Sequence, residues 1–160
     1  MIEKLRRNHE EPNSPISVIL VAGIPGSGKG RISYSIRKHL GNEQLKAYDF
    51  KMPSIEKGRK YETGDFVNEL DSYCQGILNE NKQIDVVVAA MPSYHHLTKA
   101  IMELRKSETF TRRFEIKFVI TKVRAANFFM TPNCNVFQFL IENCMKGIAH
   151  AVVFEKGFID

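Results

Sequence analysis

A glycine-rich segment at residues 23–31 constrains this chain more than any other feature of its sequence. An apolar run at residues 16–22 precedes it and predicts a buried strand, while residues 31–40 follow it with apolar side chains at helical spacing. Glycines let successive backbone N–H groups point at one anion, because no side chain intrudes. The N-terminus of the following helix adds unpaired N–H groups and the positive end of its dipole. The segment therefore predicts a phosphate-binding loop, with Lys29 as a point charge for the outer phosphates.

The loop follows the Walker A spacing but departs from it directly after the lysine. That motif places a Ser or Thr there, whose hydroxyl ligates Mg²⁺, whereas this chain has Gly30 followed by Arg31. Binding of Mg²⁺ is therefore left open, with Ser33 or water as substitutes for the missing hydroxyl. Arg31 is expected either to add positive charge near the phosphates or to lie on the helix surface. The residues predicted to bind ATP or GTP are Gly23, Pro25, Gly26, Ser27, Gly28, Lys29, Gly30 and Arg31.

Apolar patterns typical of strands and of helices alternate along the rest of the chain. Further strands are predicted at residues 44–50, 84–90, 114–121 and 151–154, and further helices at residues 65–79, 93–106 and 135–145. Gly41 and Asn42 are expected to end the first helix. The alternation predicts an α/β fold, a three-layer sandwich in which a five-stranded, mainly parallel sheet carries helices on both faces.

The two ends of the chain suggest how the domain is bounded. Residues 1–15 are polar and contain Pro12 and Pro15, so we expect a flexible tail or linker there. Residues 16–160 are then expected to form one P-loop domain, in line with a length of 160 residues. The chain stops soon after the fifth predicted strand, without a closing helix, which favours a domain taken from a longer protein.

The composition argues against several classes of protein. No apolar run reaches the roughly 20 residues that a membrane span needs, and the charged N-terminus lacks a secretory apolar region. The three cysteines show no metal-ligand spacing, so a reducing, cytoplasmic location is expected. A net charge of +5 suits a ligand that carries phosphates. Basic pairs at residues 105–106 and 112–113 have no aromatic residues interleaved, which argues against a nucleic-acid partner.

The run Gly-x-Pro-Gly-Ser-Gly-Lys-Gly at residues 23–30 resembles the loop of adenylate kinases and related nucleoside kinases. The resemblance implies phosphoryl transfer from ATP to a small molecule or nucleotide, with Lys29 neutralising the phosphates. In kinases of this kind a carboxylate at the end of the second strand takes a proton from the acceptor hydroxyl, a role that would fall to Asp49. Asp49 is equally expected to cap a turn or to neutralise Lys29. Arg124, after the fourth strand, would be a lid arginine that contacts a phosphate.

One part of that kinase pattern is missing from the sequence. Adenylate kinases end their third strand with an aspartate linked to the metal, and the corresponding residues 89–93 contain no carboxylate. Asp85 stands at the start of that strand, at the wrong edge of the predicted sheet for a metal ligand. The missing acid favours weak or absent catalysis without arguing against nucleotide binding.

A second resemblance bears on the role of the domain. Residues 21–29, 143–147 and 151–154 resemble parts of the kinase-like domain of a large axonemal dynein assembly and packaging factor. That resemblance implies a scaffold role with protein partners in a larger assembly. Two hypotheses therefore stand, an ATP-dependent kinase and a catalytically degenerate P-loop module.

Overall fold

The structure is a computed structural model that describes residues 2–5, 14–24, 26–53, 62–80, 83–92, 96–124 and 147–155. Within these ranges the strands are β1 (Ile16–Gly23), β2 (Ala47–Phe50), β3 (Val86–Ala90), β4 (Phe114–Arg124) and β5 (Ala151–Glu155). The helices are α1 (Lys29–Asn42), α2 (Thr63–Asn79), α3 (Leu97–Lys106) and the short α4 (Glu108–Thr111), and a 3₁₀ turn lies at Ile2–Lys4.

The strands form one sheet in the order β2-β3-β1-β4-β5. All four pairings between neighbouring strands are parallel, which confirms the predicted five-stranded sheet. β3 and β2 lie on one side of β1, and β4 and β5 lie on the other. The order of the strands along the chain therefore reverses its direction across the sheet beside β1. In open α/β sheets ligands bind at the carboxyl ends of the strands beside such a point. The glycine-rich segment leaves β1 at this place.

Helices cover both faces of the sheet, as predicted. On one face α2, α3 and α4 enclose the larger part of the core, which includes Phe66, Leu104 and Phe110. On the other face α1 packs its apolar side against Ile19 and Val21 of β1. Every residue of β1 is buried, because helices shield the strand from water on both sides. A strand of this kind reads as a continuous apolar run rather than an alternating one.

Several predicted boundaries shift in the structure. α1 ends at Asn42, which confirms that Gly41 and Asn42 are the last residues of the helix. The left-handed residue that follows the helix is Gln44, at φ 64°, and not the glycine that the C-cap signal had suggested. β2 begins at Ala47, later than predicted, since the turn that follows α1 occupies the residues before it. The short helix α4 was not predicted. The predicted helix at residues 135–145 lies outside the described part of the chain.

The N-terminal residues that the structure describes contact the domain. Leu5 follows the 3₁₀ turn, is 1% exposed, and joins the same hydrophobic cluster as Ile19 and Val21 on the α1 face of the sheet. Residues 6–13 lie outside the described part, so the predicted tail stays a prediction. Of the helices in the described ranges, none combines the length and the hydrophobicity that crossing a lipid bilayer would take.

Candidate phosphate-binding site

The glycine-rich segment folds into a tight loop between β1 and α1. Gly26 and Gly28 adopt φ values of 70° and 75°, a left-handed conformation that glycine accepts without steric cost. The Ser27 N–H donates to the carbonyl of Ile24 at 3.2 Å, and the Arg31 N–H donates to the carbonyl of Gly28 at 3.1 Å. Pro25 lies outside the described residues. The loop therefore reverses direction just before the N-terminus of a 14-residue helix, where backbone N–H groups lack helical partners.

The Lys29 side chain folds back over the end of β1. Its ammonium donates hydrogen bonds to the carbonyl oxygens of Gly23 at 2.8 Å and Ile24 at 3.1 Å. Burial lowers the pKa of Lys29 from 10.5 to about 8, because a desolvated ammonium loses the hydration that favours its charge. An anion placed beside this ammonium would restore the lost stabilisation of its charge.

The loop and the ends of two strands pack too closely to admit a side chain at Gly23. A Cβ atom there would lie 2.6 Å from the backbone carbonyl oxygen of Lys122 and 2.6 Å from the hydroxyl of Ser27. Ser27 is 0% exposed, and its hydroxyl has no hydrogen-bond partner within the described part of the chain. A buried hydroxyl without a partner calls for one from a ligand, a water or an ion. A water, an ion or a ligand beside the loop would supply that partner.

Asp49 lies on the β2 flank of the loop and is bonded to α1. Its carboxylate accepts a hydrogen bond from the Ser33 hydroxyl at 2.5 Å, and Ser33 stands one helical turn after Lys29 in a buried position. The backbone carbonyl of Asp49 also faces the Tyr73 hydroxyl, at 3.4 Å. This arrangement ties β2 to the first turns of α1. The role of general base stays a prediction, and a base at this position would have to act while Ser33 holds one of its oxygens.

Among the described residues, the positions directly after Lys29 and at the end of β3, where the Walker A motif and the kinase pattern place groups for Mg²⁺, offer no ligand for that ion. Proteins bind Mg²⁺ through one or two carboxylates together with the phosphates of the substrate. Gly30 has no side chain, Ser33 is bonded to Asp49, and β3 ends without a carboxylate. Asp85 accepts a hydrogen bond from the Lys46 N–H at 2.8 Å, at the opposite end of β3. In the described ranges no three or more His, Cys, Asp or Glu residues are grouped as a metal site.

The other flank of the loop carries a charged pair that the sequence analysis missed. Lys122 lies at the carboxyl end of β4, in register with Gly23, and its ammonium is 2.9 Å from the Glu155 carboxylate at the end of β5. The same ammonium lies 3.3 Å from where a Cβ atom on Gly28 would be. In the sequence, Lys122 directly follows the strand predicted at residues 114–121, and this position was the signal that could have identified it. Glu155 had no signal, because only the pairing of β4 with β5 brings it here.

Arg31 and Arg124, both predicted as site residues, lie on the same flank and are exposed. The hydrogen bond and charge of Lys122, followed by the charges of Arg124 and Arg31, lower the pKa of Glu155. Both arginines are therefore close enough to act on a negative charge at the end of β5. Whether either contacts a phosphate stays a prediction.

The fold of this chain is similar to that of two solved structures. No protein-family model matches the chain, and no curated protein matches it either. A zinc-bound triple mutant of the YjiA GTPase aligns with a TM-score of 0.57 at 20% identity, over 88% of this chain and 49% of that one. Zinc-bound YjiA GTPase from E. coli aligns with a TM-score of 0.53 at 22% identity, over the same shares of the two chains. Over the aligned residues, this chain shares the fold of these two structures. This chain spans about half the length of those proteins.

Proposed function

We propose that this chain binds a purine nucleoside triphosphate, ATP or GTP, through residues 23–31. The observation that carries the proposal is the position of Lys29, whose half-buried ammonium lies over the loop at the N-terminus of α1. Two left-handed glycines shape the loop, and the unpartnered Ser27 hydroxyl lies within it. Backbone N–H groups at a helix N-terminus and a nearby lysine are what phosphate groups bind best. The shared fold with the YjiA proteins, which are GTPases, agrees with a triphosphate ligand.

The site favours binding over efficient phosphoryl transfer. Transfer of a phosphoryl group depends on charge neutralisation by metal ions and on a positioned acceptor. The loop has no hydroxyl after Lys29, β3 ends without a carboxylate, and Asp49 is bonded to Ser33. A catalytically degenerate P-loop module within a larger assembly is therefore the form of the function that these residues favour. Protein partners and a cytoplasmic location belong to this proposal as predictions.

A kinase is the second candidate, and one observation favours it. Asp49 lies beside the first turns of α1, on the flank of the loop opposite Arg124. An acceptor molecule between these two residues would have a carboxylate for its hydroxyl proton and an arginine for the transferred group. The resemblance to adenylate and nucleoside kinases supports the same assignment.

Calorimetric titration of the chain with ATP and GTP, each with and without Mg²⁺, tests the proposal. We expect binding in the micromolar range, and a change of less than about threefold on adding Mg²⁺, because the protein offers that ion few ligands. Absence of binding to both nucleotides would refute the proposed function. Binding that Mg²⁺ strengthens much further would refute the degenerate form and favour the kinase, for which turnover with Asp49→Asn is the next measurement.

The affinity for triphosphate should fall as the pH rises through about 8, the lowered pKa of Lys29. Above that pH the free protein loses the ammonium charge of Lys29. In the complex Lys29 keeps its proton, because the triphosphate beside it is negatively charged, so binding is coupled to proton uptake. We expect a loss of about tenfold between pH 7 and pH 9. Titrations at both pH values measure it, and Lys29→Arg is the control, since arginine stays charged throughout. A wild-type affinity that does not change with pH would show that the Lys29 charge is not used.

A further inference from the structure

Lys122 is a buried cation that reaches the phosphate-binding loop from a second strand. It is 8% exposed, and its ammonium lies beside Gly28, where a side chain would bring a Cβ atom within 3.3 Å of it. The backbone at this position is fixed by the pairing of Lys122 with Gly23. A buried ammonium is costly unless an anion accompanies it. In the absence of a nucleotide that anion is Glu155, at 2.9 Å.

Glu155 differs from Lys122 in its freedom to move. The side chain of Glu155 is 41% exposed, against 10% for that of Lys122. Glu155 is also the last residue of β5. The positive charges of Lys122, Arg124 and Arg31 all act on its carboxylate. This carboxylate therefore lies on a positively charged flank of the loop, in direct contact with Lys122. A carboxylate with this exposure can turn towards solvent without opening the hydrophobic core.

We propose that Glu155 is an internal anion that holds Lys122 in the empty site, and that the polyphosphate chain of a nucleotide displaces it and binds Lys122. The inference rests on the proposed function of the loop and adds a second phosphate-binding lysine beside Lys29. Carboxylate and phosphate oxygens accept the same charge-assisted hydrogen bonds from an ammonium. A triphosphate brings more negative charge than one carboxylate, so it competes successfully once the loop N–H groups also bind it.

This arrangement gives Glu155 an effect opposite to that of an ordinary structural partner. A partner that only keeps Lys122 in place should, when removed, weaken nucleotide binding or leave it unchanged. A competitor should strengthen binding when removed, because the nucleotide no longer has to displace it. The sign of the change in affinity therefore separates the two roles.

The test compares Glu155→Gln with the wild-type chain in titrations with ATP, GTP and inorganic tripolyphosphate. Glutamine keeps the size of the side chain and removes its charge, and we expect affinity for all three to rise about three- to tenfold. Glu115→Gln is the matched control. It removes an equal charge from an exposed glutamate of β4, paired with Lys117 at 2.5 Å, at the amino end of the strand. We expect it to change affinity by less than about twofold.

A second variant tests Lys122 itself. Lys122→Met keeps the buried stem of the side chain and removes the ammonium, and we expect triphosphate affinity to fall about tenfold. In the double variant the gain from Glu155→Gln should disappear, because its cause is the release of Lys122. Thermal unfolding of each variant identifies any that are not folded, and Glu155→Gln alone still decides the question if Lys122→Met unfolds.

Three results would overturn the inference. Unchanged or weaker binding by Glu155→Gln, with the wild-type chain still binding triphosphate, would leave Glu155 a structural partner and the proposed function intact. A gain that persists in the double variant would show that Lys122 is not the group released. No binding of any of the three ligands to the wild-type chain would refute the proposed function together with this inference.

Discussion

Replacing Lys29 by alanine should weaken triphosphate binding by about 1.5–3 kcal/mol, which corresponds to a loss of roughly 10- to 150-fold. The ammonium lies over the end of β1, bonded to the carbonyls of Gly23 and Ile24, so it is already positioned at the loop. A phosphate oxygen that takes the place of those carbonyls gains a charge-assisted hydrogen bond in a partly desolvated site. The loss should be larger for ATP and GTP than for the monophosphates, since the outer phosphates meet the lysine.

The same variant should remain folded, which separates binding from stability. Burial lowers the pKa of Lys29 to about 8 from 10.5 in the unfolded chain. Between these values the unfolded chain binds a proton that the folded chain does not, so stability rises with pH there. Below about pH 8 the buried charge opposes folding, and removing it should not lower the midpoint of thermal unfolding. Lys38→Ala, on the exposed side of α1, is the control for the loss of one positive charge.

Calorimetry and thermal unfolding on the same samples give both quantities. A Lys29→Ala chain that is folded and binds ATP and GTP as well as the wild type would refute the assignment of the loop. A variant that binds less and also unfolds at a lower temperature would show that Lys29 is mainly structural, through its bonds to the strand end.

The sequence was sufficient to predict the layers of the fold because its signals are local. A strand buried on both faces is almost entirely apolar, and the sequences of β1 and β3 follow this pattern, with Ser17 as the polar residue of β1. A loop that needs glycines at positive φ has to carry them, and Gly26 and Gly28 take those conformations. The parallel sheet then follows from the alternation of strands and helices, because crossovers between parallel strands need a helix.

Other features depend on contacts between distant parts of the chain, and pattern reasoning does not reach them. The end of α1 at Asn42 was predicted, but the left-handed residue after it is Gln44, since the path towards β2 and not local preference sets the turn. Glu155 meets Lys122 only because β5 pairs with β4. The bond between Ser33 and Asp49 requires α1 to cross β2. In each case the partner comes from another element.

The site shows the same division between local and distant causes. Lys29 and the loop glycines were predicted from one segment, whereas the Lys122–Glu155 pair needs the sheet order β1-β4-β5. The resemblances to kinases and to a dynein assembly factor rest on short runs, of which residues 23–30 are the specific one. The shared fold with the YjiA proteins supports the P-loop architecture and carries no information on the acceptor or the partner.

Replacing Gly23 by alanine should both destabilise the chain and strongly weaken nucleotide binding. The added methyl group would lie 2.6 Å from the backbone oxygen of Lys122 and 2.6 Å from the Ser27 hydroxyl. Ser27 can rotate, but the Lys122 carbonyl belongs to β4 and moves only if β1 and β4 separate. Overpacking of this kind costs about 1–3 kcal/mol, and urea unfolding measures it. Separation of the strands would also displace the loop, so affinity for ATP and GTP should fall by at least the factor expected for Lys29→Ala.

Gly76→Ala is the matched control, since it makes the same substitution where no atom within 4 Å opposes it. Gly76 lies inside α2, where alanine favours the helix over glycine by about 1 kcal/mol, so this variant should gain stability and keep the wild-type affinity. Opposite signs for the two glycines would establish that Gly23 is required by close packing and not by general sensitivity of the fold. If Gly23→Ala instead matched Gly76→Ala in both measurements, the contact between the loop and β4 would not exist in solution. The Lys122–Glu155 pair would then lose its position beside Gly28, because the same contact places both.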